Sequence, residues 1–436
     1  MIYFVLLALF IITCIWVIYR YYKKKNGIFQ APFIFSLASM LMMTPQFSTI
    51  ILNPYYNPDL LLDLSWIMIT GTLAFSFGFE KANQKKIISC KDLYVNKSKK
   101  VLFLIFLIGL YAAWQSDIVA EEFRNSGGSD IRNSHTYQIW HFFRLFLDFG
   151  YFYALAYVAQ KKKCPRIIGI IIVLGSIYYL IIVLAFARRA LAVKLFLSIT
   201  LLLSMAKPQW LKQIRIIVII FFTVGTVYNA SIGEIRSNLV NTNKEKIDVN
   251  YWENYKRSYY APPMNHGMDL GNGALFIKYT KEHMNYNFGL FLWNDIVTWY
   301  CPSFIFGKEG KEAMKFADNN RTYIQSISHG VTTSTGYYVA FAAFGYFGFI
   351  LFYALGYILG FIWNCSKYSL LYLVLYMSLM YNIPNLASHG FSYIIGNIET
   401  FIVFCIPIIY QYIYSKKTNR IHILHRMHIL RCRYSK

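Results

Sequence analysis

From Ile167 to Ala206 the chain is almost uninterruptedly apolar, broken only by Arg188, Arg189 and Lys194. A bilayer-crossing helix needs about 20 apolar residues, and that stretch supplies two in succession. Runs of similar length recur along the chain. A membrane β-barrel would alternate apolar and polar residues in segments of about ten, so the pattern predicts an all-α, polytopic integral membrane protein. Composition agrees: 57% of residues are hydrophobic and 14% charged, whereas a soluble chain carries about 25% charged residues.

Hydropathy predicts about eleven spans: Ile2–Tyr19, Ile28–Ile51, Leu60–Phe79, Val101–Trp114, Ile139–Ala159, Ile167–Phe186, Ala190–Ala206, Ile216–Ile232, Thr335–Trp363, Leu370–Asn385 and Phe391–Tyr414. The first run reaches Tyr19 without a small-residue cleavage site, so it reads as a span rather than a signal peptide. No internal repeat or Gly/Pro linker divides the sequence, which predicts one membrane domain over 1–436.

The chain carries 43 Lys+Arg against 20 Asp+Glu. The excess concentrates in "RYYKKKNG", "EKANQKKIISCKDLYVNKSKK", "QKKKCPR", "KPQWLKQIR" and the tail over 415–436, all on one side if the span count holds. The positive-inside rule makes that side cytoplasmic, with the N-terminus out and the C-terminus in. The net charge is then an orientation signal with attraction to anionic lipid, not a nucleic-acid footprint. The seven cysteines show no CxxC spacing, so we expect neither a disulfide framework nor a metal site.

One outer loop is large. Residues 234–334 carry eleven Lys+Arg against ten Asp+Glu, with interleaved aromatics, which predicts a folded cap. Within it "FGLFLWNDIVTWYCPSFIF" is apolar but interrupted by Asn294 and Asp295, as in an amphipathic or re-entrant element on the membrane face.

This topology puts Arg188 and Arg189 at the outer tip of the hairpin between spans six and seven. A guanidinium fork grips phosphate oxygens in pairs and stays charged, so the two arginines are candidates for holding an anion at the outer leaflet. The alternative is a snorkelling pair contacting lipid head groups. Lys194 extends the same patch, and Glu234 and Arg236 sit at the mouth of span eight. Arg144 and Asp148, four residues apart on span five, read as a structural ion pair. "SHG" occurs twice near the outer surface, at Ser328-His329-Gly330 and Ser388-His389-Gly390. An imidazole titrates near neutral pH, making His329, and secondarily His389, candidate general bases. Asp59, Asp63, Asp117, Glu121, Glu122 and Asp130 read as outer-loop acids, with Asp59 or Asp63 as a possible base. No P-loop, Rossmann glycine pattern, HExxH or nucleophile elbow occurs, which leaves ATP-driven transport and metalloprotease chemistry without support.

The stretch "VTWYCPSFIFGKEGKEAMKFADNNRTYIQSISHGVTTSTGYYVAFAAFGYFGFILFYALGYILGFI" resembles the corresponding region of Wzy-type O-antigen polymerases, the oligosaccharide repeat-unit polymerases. The shared features are Cys301-Pro302, Lys308, the polar segment to Thr335, and Phe344-Gly345-Tyr346-Phe347-Gly348. The span number and the large outer loop before the last helices also agree. The chain departs in having Ser303 where arginine often follows the proline, and no acid at the start of span nine.

The resemblance implies a membrane glycosyltransferase of GT-C-like architecture at the periplasmic face of a bacterial inner membrane. Its substrates would be undecaprenyl-diphosphate-linked oligosaccharide units, destined for O-antigen, capsule or exopolysaccharide. No metal, nucleotide or other cofactor is implied, and the usual partner is a chain-length-regulating co-polymerase. Arg188, Arg189, Arg236 and Arg321 would stabilise the departing diphosphate, with His329 as base. A flippase for the same lipid-linked units also needs membrane arginines, but such transporters usually show two similar halves and short loops. An O-antigen ligase shares the plan, although "SHGVTTSTG" fits its usual His-Asn entry poorly. A purely structural or sensory membrane protein is a further alternative.

Overall fold

The computed structural model describes residues 2–52, 60–85, 99–125, 135–186, 189–210, 212–225, 269–284, 286–301, 303–317, 335–391 and 394. Every regular element among them is helical. The helices are α1 (Ile2–Tyr22), α2 (Ala31–Leu52), α3 (Leu60–Asn83), α4 (Lys99–Asn125), α5 (His135–Lys161), α6 (Arg166–Phe186) and α7 (Arg189–Ala206). There follow α8 (212–225), α9 (Asp269–Glu282), α10 (Leu290–Tyr300), α11 (Ser303–Ala313), α12 (Gly336–Phe344), α13 (Phe349–Ser366), α14 (Leu370–Met380) and α15 (Ile383–His389). Seven of these, α1 to α6 and α13, contain stretches long and apolar enough to cross a bilayer, and α7 and α14 are shorter apolar helices. The protein is a multi-pass helical membrane protein. The expected eleventh span, Phe391–Tyr414, lies almost wholly outside the described residues.

Two groups of helices build the bundle, α1, α2, α3 and α13 in one and α4 to α7 in the other, with α14 packed between α13 and α5. Between lipid-soluble surfaces the hydrophobic effect gives little drive for association, so close backbone approach has to supply it. The α3–α13 contact shows how. Residues 75, 79 and 82 of α3 meet 356, 360 and 364 of α13 in the same order, so the two helices run parallel. A Cβ on Gly356 would lie 2.2 Å from the Phe75 carbonyl oxygen, and one on Gly360 2.3 Å from that of Phe79. Only glycine permits this separation.

One end of the bundle collects the basic stretches. Arg20 and Lys24, at the end of α1, reach Glu80 of α3 at 2.5 and 3.0 Å. Lys367 bonds Asn83 at 2.7 Å, and Gln160 donates to the Ser366 carbonyl at 3.2 Å. Arg215, at the start of α8, donates to the Lys24 carbonyl at 3.3 Å. The described parts of the basic segments after spans one, three, five and seven therefore share one end, hereafter the basic end.

Three expected spans differ from their helices. Span nine, Thr335–Trp363, is two helices: α12 climbs to Gly345, turns through a 3-10 segment at Gly345–Phe347, and α13 descends alongside it. Gly345 has φ 57°, a left-handed conformation that glycine adopts freely. A Cβ on Gly348 would lie 2.4 Å from the Ala340 carbonyl oxygen, so the turn is closed tightly. Tyr337 of α12 donates to Ser39 at 2.9 Å and lies 3.4 Å from Thr72. Since Thr72 is midway along α3, α12 begins at mid-depth and spans only half the bundle. Span ten also divides, into α14 and α15, where Pro384 in the first turn of α15 removes a backbone donor. In the third case, the helix of span four continues well past Trp114, to Asn125.

Part of the expected 234–334 cap is embedded rather than peripheral. In α9 Leu270, Ala274, Ile277 and Thr280 are fully buried, and the Leu270 amide donates to Gln46 of α2 at 2.9 Å. Helices α10 and α11 lie antiparallel, because Trp293 Nε1 donates to the Met314 carbonyl and Lys311 Nζ to that of Thr298, at 2.9 and 2.8 Å.

Candidate functional site

Away from the basic end, polar side chains among the described residues collect in two places, one inside the α4–α7 group and one at the opposite end of the bundle.

The interior cluster starts from Asp117. Placed in a loop by hydropathy, it lies on the extended α4 and is buried. Its Oδ1 accepts from Arg144 Nη1 of α5 at 3.1 Å, and its Oδ2 from the Tyr178 hydroxyl of α6 at 2.7 Å. One turn further along α5, Asp148 accepts from Lys194 Nζ of α7 at 2.5 Å and from the Tyr179 hydroxyl. The expected Arg144–Asp148 pair is thus corrected: the two share a face of α5, but each takes its partner from a neighbouring helix. A cross-helix partner can approach end-on and also fixes packing, which an i, i+4 neighbour on the same helix does not.

Lys194 is only 3% exposed and is ringed by Phe152, Tyr179 and Tyr381, whose centroids lie 5.3, 5.2 and 4.8 Å from Nζ. Its ammonium is paired with Asp148 and faces these rings inside the bundle. Tyr381 stands at the break between α14 and α15, and Asp148 is the midpoint of the 27-residue α5, so pair and break meet at mid-depth. His141, one turn before Arg144, stacks on Tyr137 at 5.4 Å. Its buried Nδ1 has no hydrogen-bond partner among the described residues. The cluster balances two cations against two carboxylates. Such charges are costly in a membrane unless paired, and here the pairing ties α4, α5, α6 and α7 together.

The end cluster centres on Asp63, in the first turn of α3. Its Oδ2 accepts from Lys281 Nζ, at the end of α9, at 2.6 Å, and its Oδ1 from the Tyr346 hydroxyl, in the α12–α13 turn, at 2.5 Å. Trp66 Nε1 donates to the Tyr346 carbonyl at 3.1 Å. The hydrogen bond to Asp63 is the main cause raising both the Lys281 ammonium and the Tyr346 phenol above their ordinary values. One carboxylate thus fastens three elements. Asp63 is a fixed acceptor here rather than a free loop acid.

Of the other residues singled out in the sequence, Arg189 opens α7 at this same end, since α6 leaves the basic end and α7 returns to it. No acidic residue stands in the first turn of α7. His389 is the last residue of α15. Arg188, Arg236, Arg321, His329, Glu234, Asp59 and Asp130 lie outside the described residues. Sequence reading missed Tyr178, Tyr179, Lys281 and Tyr346; of these only Tyr346 carried a signal, as part of the Gly345–Gly348 motif. No known protein family, curated protein or solved structure matches this chain.

Proposed function

We propose that this protein polymerises polyprenyl-diphosphate-linked oligosaccharides at the periplasmic face of a bacterial inner membrane. In this reading the basic end is cytoplasmic, with the N-terminus out and the C-terminus in. The growing glycan passes from its lipid carrier to the non-reducing end of the next lipid-linked unit, building O-antigen, capsule or exopolysaccharide. The anomeric carbon's bond to the diphosphate breaks, a bond to the acceptor oxygen forms, and the acceptor proton passes to a base, for which His329 is the candidate. Asp59, Asp63, His389 and Glu234 are secondary candidates. The lipid diphosphate leaves as an anion that Arg188, Arg189, Arg236 and Arg321 would hold. Neither metal nor nucleotide is required, and a co-polymerase would set chain length.

The observation that carries the reading is the opening of α7. Arg189 begins that helix opposite the basic end, directly after Arg188, with no acid in its first turn. The positive end of the helix dipole stands where the sequence carries two successive arginines, which is the electrostatics a departing diphosphate needs. A second reading, a flippase for the same lipid-linked units, is favoured by one observation, the two helix breaks in spans nine and ten.

Deleting the gene in its native strain and running surface polysaccharide on a gel tests the assignment. Collapse of the ladder to a single repeat unit on core is the expected result. Loss of every repeat points to the flippase or a ligase, and an unchanged ladder overturns the pathway.

A further inference from the structure

Asp63, Lys281, Tyr346 and Trp66 open sideways as well as endwise. Leu62, Trp66 and Phe77 are exposed along one stripe of α3, four and then eleven residues apart, close to whole turns of a helix. The stripe continues onto α1, where Trp16 meets Phe77 with ring centroids 6.3 Å apart. Such a face on a spanning helix belongs to lipid. One turn below its outer limit at Leu62, Trp66 is 49% exposed, and beside it Tyr346 and Phe347 are 46% and 66% exposed. An apolar track in the membrane therefore ends in an aromatic ledge that carries a carboxylate and an ammonium.

We propose that this ledge is the docking site for the lipid-proximal sugar of a polyprenyl-linked glycan, its prenyl chain lying along the α3 stripe. The inference rests on the polymerase reading and adds the place where the lipid-linked substrate enters. Aromatic faces stack on the C–H side of a pyranose ring, while a carboxylate and an ammonium bond its hydroxyls. The parts are preorganised. The Trp66 indole is pinned by its bond to the Tyr346 carbonyl, and the Tyr346 phenol by its bond to Asp63. Beyond its bonds to Asp63 and, at 3.4 Å, to the Tyr346 hydroxyl, Lys281 keeps one further N–H donor and is partly exposed. Continuity with the lipid face favours an occupant with both a chain and a polar head. Because Asp63 neutralises Lys281, the ledge suits the hydroxyls of a sugar better than a bare phosphate.

The test uses the full-length protein in liposomes with lipid-linked repeat units extracted from the deletion strain, following polymer formation against unit concentration. Trp66→Leu and Tyr346→Leu are expected to raise KM about tenfold with kcat largely kept, and Ile216→Ala, on the exposed face of α8, to change neither. A packing defect would instead lower kcat and the amount of folded protein. Should Tyr346→Leu fail to fold, Trp66→Leu carries the test, since it removes one exposed ring and one hydrogen bond. Unchanged KM in an active, folded Trp66→Leu protein overturns the docking site and leaves the polymerase reading standing. Absence of polymer with the wild-type protein overturns the reading, and the site with it.

Discussion

Lys194 Nζ and Asp148 Oδ2 lie 2.5 Å apart at mid-depth, joining α7 to α5. The pair sits five residues along α7 from Arg189, about 7.5 Å deeper at the helical rise. Removing one partner strands the other charge in a membrane interior, at a cost of roughly 3–5 kcal/mol. Lys194→Met and Asp148→Leu should each lower the melting temperature sharply in detergent. The double variant should recover most of the loss, because apolar residues of similar volume replace a buried pair with little penalty. Equal destabilisation by the double and the single variants would show that the pair is not the source of the effect.

How far this cluster could be read from the sequence depends on the distance between partners. Arg144 and Asp148 were legible as a pair because they lie four residues apart, yet their true partners stand 27 and 46 residues away. Hydropathy averages over a window, so it located most spans but ended α4 before Asp117. The same averaging ran through Gly345, where one backbone angle divides a span in two. Periodicity reports that a segment is apolar, not whether its backbone is continuous.

The parallel α3–α13 contact predicts unequal tolerance among glycines. Gly356→Ala and Gly360→Ala each drive a methyl group into a backbone oxygen of α3, so both should reduce the yield of folded protein, and Gly356→Leu should abolish it. Gly169→Ala should be nearly neutral, since its Cβ would meet only Cys164 Sγ, at 3.5 Å. Fluorescence-detected size exclusion of the variants measures this, and equal behaviour at all three positions would argue against close α3–α13 packing.

Asn294 clasps the backbone of Phe316 with both ends of its amide, donating at 2.9 Å and accepting at 2.8 Å. Asn294→Ala removes two hydrogen bonds worth about 1 kcal/mol each. Amide exchange over 303–317 should accelerate about tenfold or more, while α3 and α13 stay protected. Unchanged exchange in α11 would mean that the clasp does not hold the α10–α11 hairpin.

On the polymerase reading, Arg188 and Arg189 act through a planar fork as well as a charge. Either residue changed to Ala should shorten the polysaccharide ladder strongly. Lysine at the same position should restore only part of it, because an ammonium cannot bond two phosphate oxygens in the same geometry. Full restoration by lysine would reduce the requirement to charge alone, and an intact ladder in both Ala variants would make the arginines lipid anchors.

The Asp63 cluster should loosen at alkaline pH, and both of its titrating partners give the same sign. Lys281 is raised above its ordinary value of 10.5. Its bond to Asp63 therefore stabilises the fold fully below that value and is lost as pH rises through the higher folded pKa. Tyr346 is raised above 10.0, so above that pH the unfolded chain gives up a proton that the folded chain retains, and stability again falls. The stability advantage of wild type over Asp63→Asn should accordingly be constant from pH 7 to about 9 and shrink above about 10. Partial exposure of Lys281 keeps the effect small. Melting temperatures of the two proteins across that range provide the measurement. A constant difference through pH 11 would mean that neither Lys281 nor Tyr346 depends on Asp63.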